Sequence, residues 1–420
     1  MINEEMRKFI LNDSVERFIK YVQVETTSDE NSSSNPSTKE QLELGKILVQ
    51  ELESLGLKEV ELDEFGYVYA TLPASEGYEN VEPIGLIAHI DTSPAVSGKN
   101  VKPIVHKKYD GGTITFPKDP ELTLSKEDSK ELEEYVGLDI ITASGDTLLG
   151  ADDKAGVAEI MTAISTWQKY PSLNHGEIKI CFTPDEEVGR GTEKINKERL
   201  PKYCYTFDGG EMGELETECF DAWSVKLTFV GLSVHPGYAK NKMINAIDVA
   251  CRFFSQIPEY ETPERTEKRE GFYHLHNLSG NAEIAEGKMI IRDFNVEKNE
   301  KRIDYIKSLI SAYERRYPGL KIELEYKHSY ENMKVYLEPH KHIVDHAEKA
   351  IERAGLEVKY TAIRGGTDGA RLSAQGIPTP NIFAGGLLFH SRKEYIPTLA
   401  IQKAVEVIIY LADEWTKKTN

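Results

Sequence analysis

Five short stretches bring histidines and acids to places where strands or helices begin and end. They are GLIAHIDTSPAVSG (85–98), TLLGADDKAG (147–156), CFTPDEEVGRG (181–191), FDGGE (207–211) and GGLLFHSRKE (385–394). In the first, a buried strand runs into His89 and Asp91, which alternation places on one face with Ile90 on the other. Such a pair is either a core histidine held by its neighbour or a metal ligand oriented by an acid behind it. In the second, Asp152 and Asp153 stand in a glycine-flanked turn before a helix. An acid there caps the helix, and a carboxylate can also bridge two cations, one oxygen to each; Asp152 is the candidate bridge and Asp153 the candidate cap.

Three acids crowd the turn after EIKICFTP, and like charges this close are costly unless solvent or a cation relieves them. The chemical reading divides them: Glu187 ligates a metal and Glu186 stays free to take a proton from water. Asp208 follows another strand, before glycines that permit close approach, and His390 lies in a glycine-flanked loop. Singly each is an ordinary acidic turn or loop histidine. Together His89, Asp152, Glu187, Asp208 and His390 offer two imidazoles and three carboxylates, a donor set suited to zinc or a similar divalent ion. With Asp152 shared, each of two metals has two further protein ligands and room for a common water, the layout of a two-metal hydrolase.

The elements that must position these groups alternate strand and helix. Leu44, Leu48, Leu52 and Leu55 space a helix ending near Gly56, VELDEFGYVYATL reads as a hairpin, and a strand ends at His89. Residues 28–40 read as a surface loop and the stretch after residue 92 as a long polar excursion. The pattern resumes with the helix after Asp152, where Val157, Ile160, Ile164 and Trp167 are periodic, and with strands EIKICFTP and CYTFDGG. This order predicts an α/β fold with a mixed, mostly parallel sheet and catalytic groups at strand C-termini. From 222 to 332 the order becomes βαββαβ, a self-contained α/β sandwich. Residues 1–221 and 333–420 are therefore expected to form one discontinuous domain and 222–332 an insert.

Composition narrows the function classes. At 420 residues, 40% hydrophobic and 29% charged, the chain is that of an ordinary globular protein too long for one core. A net charge of -19 argues against nucleic acid as a partner. Cys181, Cys204, Cys219 and Cys251 show no CxxC spacing, as expected of reduced thiols in a cytoplasmic protein. The charged, amphipathic N-terminal segment has no secretory pattern, and no apolar run is long enough to span a membrane.

The motifs HID (89–91), GADDKAG (150–156), DEEVGRG (185–191), FDGGE, RGGTDGARLS (364–373) and FHSRKE (389–394), in this order, resemble the zinc peptidases of clan MH, family M20. The resemblance runs from the N-terminal helix to the last one. It implies two zinc ions per subunit, one on His89 and Asp208, the other on Glu187 and His390, with Asp152 bridging. It implies that Asp91 and Glu186 serve catalysis, Asp91 by orienting His89 and Glu186 as general base and then acid, and that the insert is the family's lid domain. His235 in SVHPG (233–237) matches the lid histidine that polarises the scissile carbonyl or steadies the oxyanion. Arg292 in IIRDF and Arg364 resemble positions that hold the substrate's C-terminal carboxylate, a task suited to a guanidinium fork. The spacing of LLGADDKAG and RGGTDGARLS inclines the resemblance toward aminopeptidases that act on small peptides, tripeptides in particular. A carboxypeptidase or an N-acyl amino acid deacylase would share the metals. SRKEY follows His390 where the family often has a glycine and a second histidine. Oligomeric state is not legible.

Overall fold

The computed structural model describes residues 2–417. Of these, residues 2–217, 336–361 and 367–417 cluster as one compact unit and residues 218–335 with 362–366 as a second. Residues 362–366, which the sequence pattern places in the discontinuous domain, thus cluster with the insert.

The first unit is built on an eight-stranded sheet. Its strands lie in the order Lys58–Leu62, Val68–Leu72, Ile178–Thr183, Ile84–His89, Tyr203–Gly209, Asn381–Phe383, Glu214–Cys219, Lys359–Ile363. The four central strands, from Ile178–Thr183 to Asn381–Phe383, are mutually parallel. Val68–Leu72 and Glu214–Cys219 join them antiparallel on either side, and the hairpin predicted at the edge pairs Lys58–Leu62 with Val68–Leu72. Ile84–His89 is buried at every position, as a strand covered on both faces must be. Helices Glu4–Val22, Ala151–Lys169 and Thr398–Trp415 pack on one another. Ala151–Lys169 buries nearly its whole length. Helix Gln41–Ser54 covers the edge hairpin with Leu44, Leu48 and Leu52 inward, and Gly56 at φ +82° follows its end. Because the central strands share a direction, the loops leaving Thr183, His89, Gly209 and Phe383 emerge at one edge of the sheet, where α/β proteins collect their ligands.

The excursion after residue 92 is structured. Ile104–His106 and Tyr395–Pro397 flank Ile140–Thr142 in a small antiparallel sheet, beside the hairpin Ile114–Phe116 and Asp119–Leu124. Tyr109, Phe116, Leu124, Leu132, Tyr135 and Tyr395 give it an apolar core of its own. Strands of three residues are too short to show a period, so only their tertiary packing reveals them.

In the second unit Asp221–Val230, helix Ala246–Phe254, Phe272–Gly280, Ile284–Asp293, helix Val296–Arg316 and Lys321–Tyr330 follow one another. The four strands form an antiparallel sheet in the order Phe272–Gly280, Ile284–Asp293, Asp221–Val230, Lys321–Tyr330. Leu227, Phe229, Val249, Phe253, Met289, Ile303 and Ile306 fill the space between sheet and helices.

Candidate metal centre

His89 ends a central strand, Glu186 and Glu187 lie in the turn after Thr183, Asp208 lies near the end of Tyr203–Gly209, and His390 follows Phe383. Asp152 stands in the first turn of Ala151–Lys169, at a peptide that is cis to Asp153. That helix approaches the Asp208 strand so closely that a Cβ on Gly156 would lie 2.1 Å from the carbonyl oxygen of Phe207, which accounts for the glycine in GADDKAG.

The geometry is organised around Asp152. One of its oxygens lies 2.9 Å from His89 Nε2 and the other 3.0 Å from His390 Nε2. Asp208 is 3.5 Å from His89 Nε2, and Glu187 is 2.9 Å from His390 Nε2. His89, Asp152 and Asp208 form one cluster of donor atoms and Asp152, Glu187 and His390 a second, each within 4.8 Å. Among the described residues the other oxygen of Glu187 is buried with no hydrogen-bond partner, as expected of a carboxylate whose partner is a cation. Nitrogen and oxygen donors in this number fit a pair of divalent ions of the zinc type.

The electrostatics carry the same mark. The Asp152 and Glu187 carboxylates raise the His390 imidazole to about 11. Burial opposes ionisation of His89, yet Asp208, Asp152 and Asp91 lift it well above the ordinary histidine range. Burial would raise Asp152, but the two imidazoles hold it below the usual carboxylate range, whereas burial pushes Asp208 up to about 7. An anionic pocket this crowded takes up positive charge, as protons or as metal.

Asp91 supports both sides of the site. His89 Nδ1 lies 3.1 Å from the Asp91 carbonyl oxygen and 3.3 Å from its carboxylate, which fixes the ring so that Nε2 faces Asp152. The same carboxylate accepts the backbone N–H groups of Glu186 and Glu187. Asp153 accepts the N–H of Gly156, as a cap does, and also that of His89 at 3.0 Å. Glu186 belongs to neither donor cluster; burial, with Asp368 adding to it, raises its carboxyl well above the ordinary range. Arg371 Nη1 stands 3.8 Å from its Oε1.

Sequence reasoning missed several supports. Asp185, in the left-handed region at φ +59°, accepts from the Ser37 amide and hydroxyl and from Gln41, anchoring the turn to the 28–40 loop. Asn381 accepts the Asp208 N–H and donates to Glu216. Asp368 accepts from Thr183. Asp368 and Arg371 lie inside RGGTDGARLS, a signal that exists in the sequence without showing what they touch. In the second unit, His235 is exposed and accepts the Gly237 N–H on Nδ1. Arg292 donates to the Arg364 carbonyl, and its Nε is buried without a partner among the described residues. The Arg364 guanidinium donates to the carbonyls of Thr266, Lys268 and Glu270 and lies over Phe220 and Phe272.

The model of peptidase family M20/M25/M40 matches residues 148–414. The chain belongs to this peptidase family. Among M20 relatives, peptidase T of Caldanaerobacter subterraneus is 48% identical over 405 residues, covering 96% of this chain and 99% of its own. Peptidase T of Geobacillus thermodenitrificans is 47% identical over 407 residues, covering 97% and 99%. The crystal structure of aminopeptidase PepT from Bacillus cereus aligns with a TM-score of 0.75 at 24% identity over 97% of this chain and 99% of that one, which shows the M20 fold. A dinuclear metal-binding M20 peptidase from Bacillus subtilis aligns with a TM-score of 0.65 at 14% identity over 96% and 98%. Among the described residues no helix is long and apolar enough to cross a membrane.

Proposed function

We propose that this M20 peptidase is a dinuclear zinc aminopeptidase that releases the N-terminal residue of tripeptides, with Glu186 as general base. The observation that carries the proposal is Asp152, whose two oxygens face His89 and His390 separately, with an acid outside both donor clusters close by. The peptidase T relatives, alike over nearly the whole chain, support the substrate class.

Zinc held by His89, Asp152 and Asp208 and by Asp152, Glu187 and His390 would supply an acidified water and a polarised scissile carbonyl. The protein's own groups do the rest. Asp91 keeps the His89 ring turned toward Asp152 and holds the amides of the turn that carries Glu186. The raised proton affinity of Glu186 suits it to take the proton of the attacking water and deliver it to the departing amine. By resemblance His235 steadies the developing oxyanion, and Arg292 and Arg364 recognise the substrate's terminal carboxylate, Arg292 with a donor still unpaired and Arg364 as its backbone partner. The protein acts in the cytoplasm in this reading.

The test is a panel of Ala-Ala, Ala-Ala-Ala, Ala-Ala-Ala-Ala, amidated Ala-Ala-Ala and N-acetylalanine, with released products identified. Fastest release of N-terminal alanine from the free tripeptide is expected. Faster deacylation of N-acetylalanine, or C-terminal release, would replace the proposal with another M20 reaction; equal rates on amidated and free tripeptide would remove the carboxylate contact.

A further inference from the structure

Glu394 is neither a donor to the metal clusters nor part of the proton transfer, yet only 1% of it is exposed. Its two oxygens receive three main-chain N–H groups: those of Leu149 and Gly150 at 2.8 Å each and that of Asp152 at 3.1 Å. These amides form the turn entering Ala151–Lys169, whose N-cap residue, Gly150 at φ +82°, has no side chain to satisfy them. A carboxylate at that end also meets the positive pole of the helix. Glu394 lies four residues after His390 in a loop closed on itself, with Leu387 and Tyr395 exchanging backbone hydrogen bonds and Ser391 donating to Leu388. It therefore joins the segment that carries His390 to the turn that carries Asp152.

The two cation positions are not equally dependent on that clasp. His89 is held by Asp91 and Asp153, and the amide of Asp208 by Asn381. The His390 side chain is 44% exposed, and among the described residues its ring nitrogens meet only Asp152 and Glu187.

We infer that Glu394 is a positioning residue that fixes the spacing of Asp152 and His390, and so sets the affinity of the Asp152, Glu187, His390 position far more than that of the His89, Asp152, Asp208 position. This rests on the dinuclear reading above. Glu394→Gln keeps the length but turns an N–H group toward backbone donors.

The experiment titrates the metal-free full-length protein with Zn2+ against a chromophoric chelator and resolves two stepwise affinities. In E394Q the weaker step is expected to fall by about 10-fold or more while the tighter one changes by less than about threefold. Ser129→Ala, which removes the hydrogen bond to the neighbouring Tyr395 hydroxyl, controls for general loosening of the segment and should leave both steps near wild type. Equal losses at both steps in E394Q, or none, would overturn the assignment. Should E394Q not fold, E394D, with its charge withdrawn by one methylene, is read in the same way: a selective loss at the weaker step supports the assignment, and wild-type values overturn it. A wild-type protein that binds fewer than two ions would instead overturn the dinuclear reading itself.

Discussion

The carboxylate of Asp91 accepts the backbone N–H of Glu186 at 3.0 Å and that of Glu187 at 3.2 Å, while standing 3.3 Å from Nδ1 of His89. One buried acid thus ties His89 on one central strand to Glu186 and Glu187 in the turn after the neighbouring strand.

Asp91→Asn preserves the shape and removes the charge, so an amide N–H group must face one of these donors. Zinc affinity is expected to fall by about 10- to 100-fold, and turnover of the fully loaded enzyme to fall as well because the base is displaced. Chelator competition and kcat measured at saturating zinc check the two effects. Wild-type values in both would show that Asp91 only fills space.

Glu186→Gln separates chemistry from assembly. Glu186 lies outside the donor clusters, so two zinc ions per chain and wild-type thermal stability are expected, with kcat lowered by about 10²- to 10⁴-fold. Elemental analysis and tripeptide turnover on one preparation provide the check. A variant that retains most of its activity would assign the base elsewhere.

Glu159 supplies a pH dependence remote from the reaction. It is fully buried on Ala151–Lys169, neither oxygen has a hydrogen-bond partner among the described residues, and burial raises its carboxyl well above the ordinary range. A raised folded-state pKa means that the fold keeps the proton while the unfolded chain releases it. The contribution to stability is therefore whole below the ordinary glutamate value of about 4.3 and declines above it, by up to about 1.4 kcal/mol per pH unit until the folded group ionises. Glu159→Gln should come closest to wild type near pH 4 and exceed its Tm increasingly toward pH 8. A Tm difference that stays flat with pH would mean that Glu159 is ionised in the fold.

Much of this was legible from strand ends. His89, Glu187 and Asp208 each follow an apolar run, and parallel strands deliver their C-termini to one edge, so a local pattern sufficed. Asp152 and His390 are far apart in the chain, and no local pattern joins them; the count of metal-type donors and the family resemblance do. Glu394 was in plain view in FHSRKE but reads as one charge among several, because nothing local reveals that it faces three amides of a distant turn. Arg364 shows the limit of residue type: a guanidinium suited to a carboxylate also donates to main-chain carbonyls, partners that no residue pattern records. The short strands between 104 and 142 escaped because their order comes from packing.

Asn381–Phe383 lies between Tyr203–Gly209 and Glu214–Cys219 in the large sheet. A ribosome delivers the chain from its N-terminus, so both neighbours emerge long before the strand that separates them. Until it arrives, each nascent molecule presents an open strand edge, the kind of surface that pairs with other chains. His390 follows within the same segment, so the residue that completes the second candidate donor cluster is synthesised just after the strand that closes that edge.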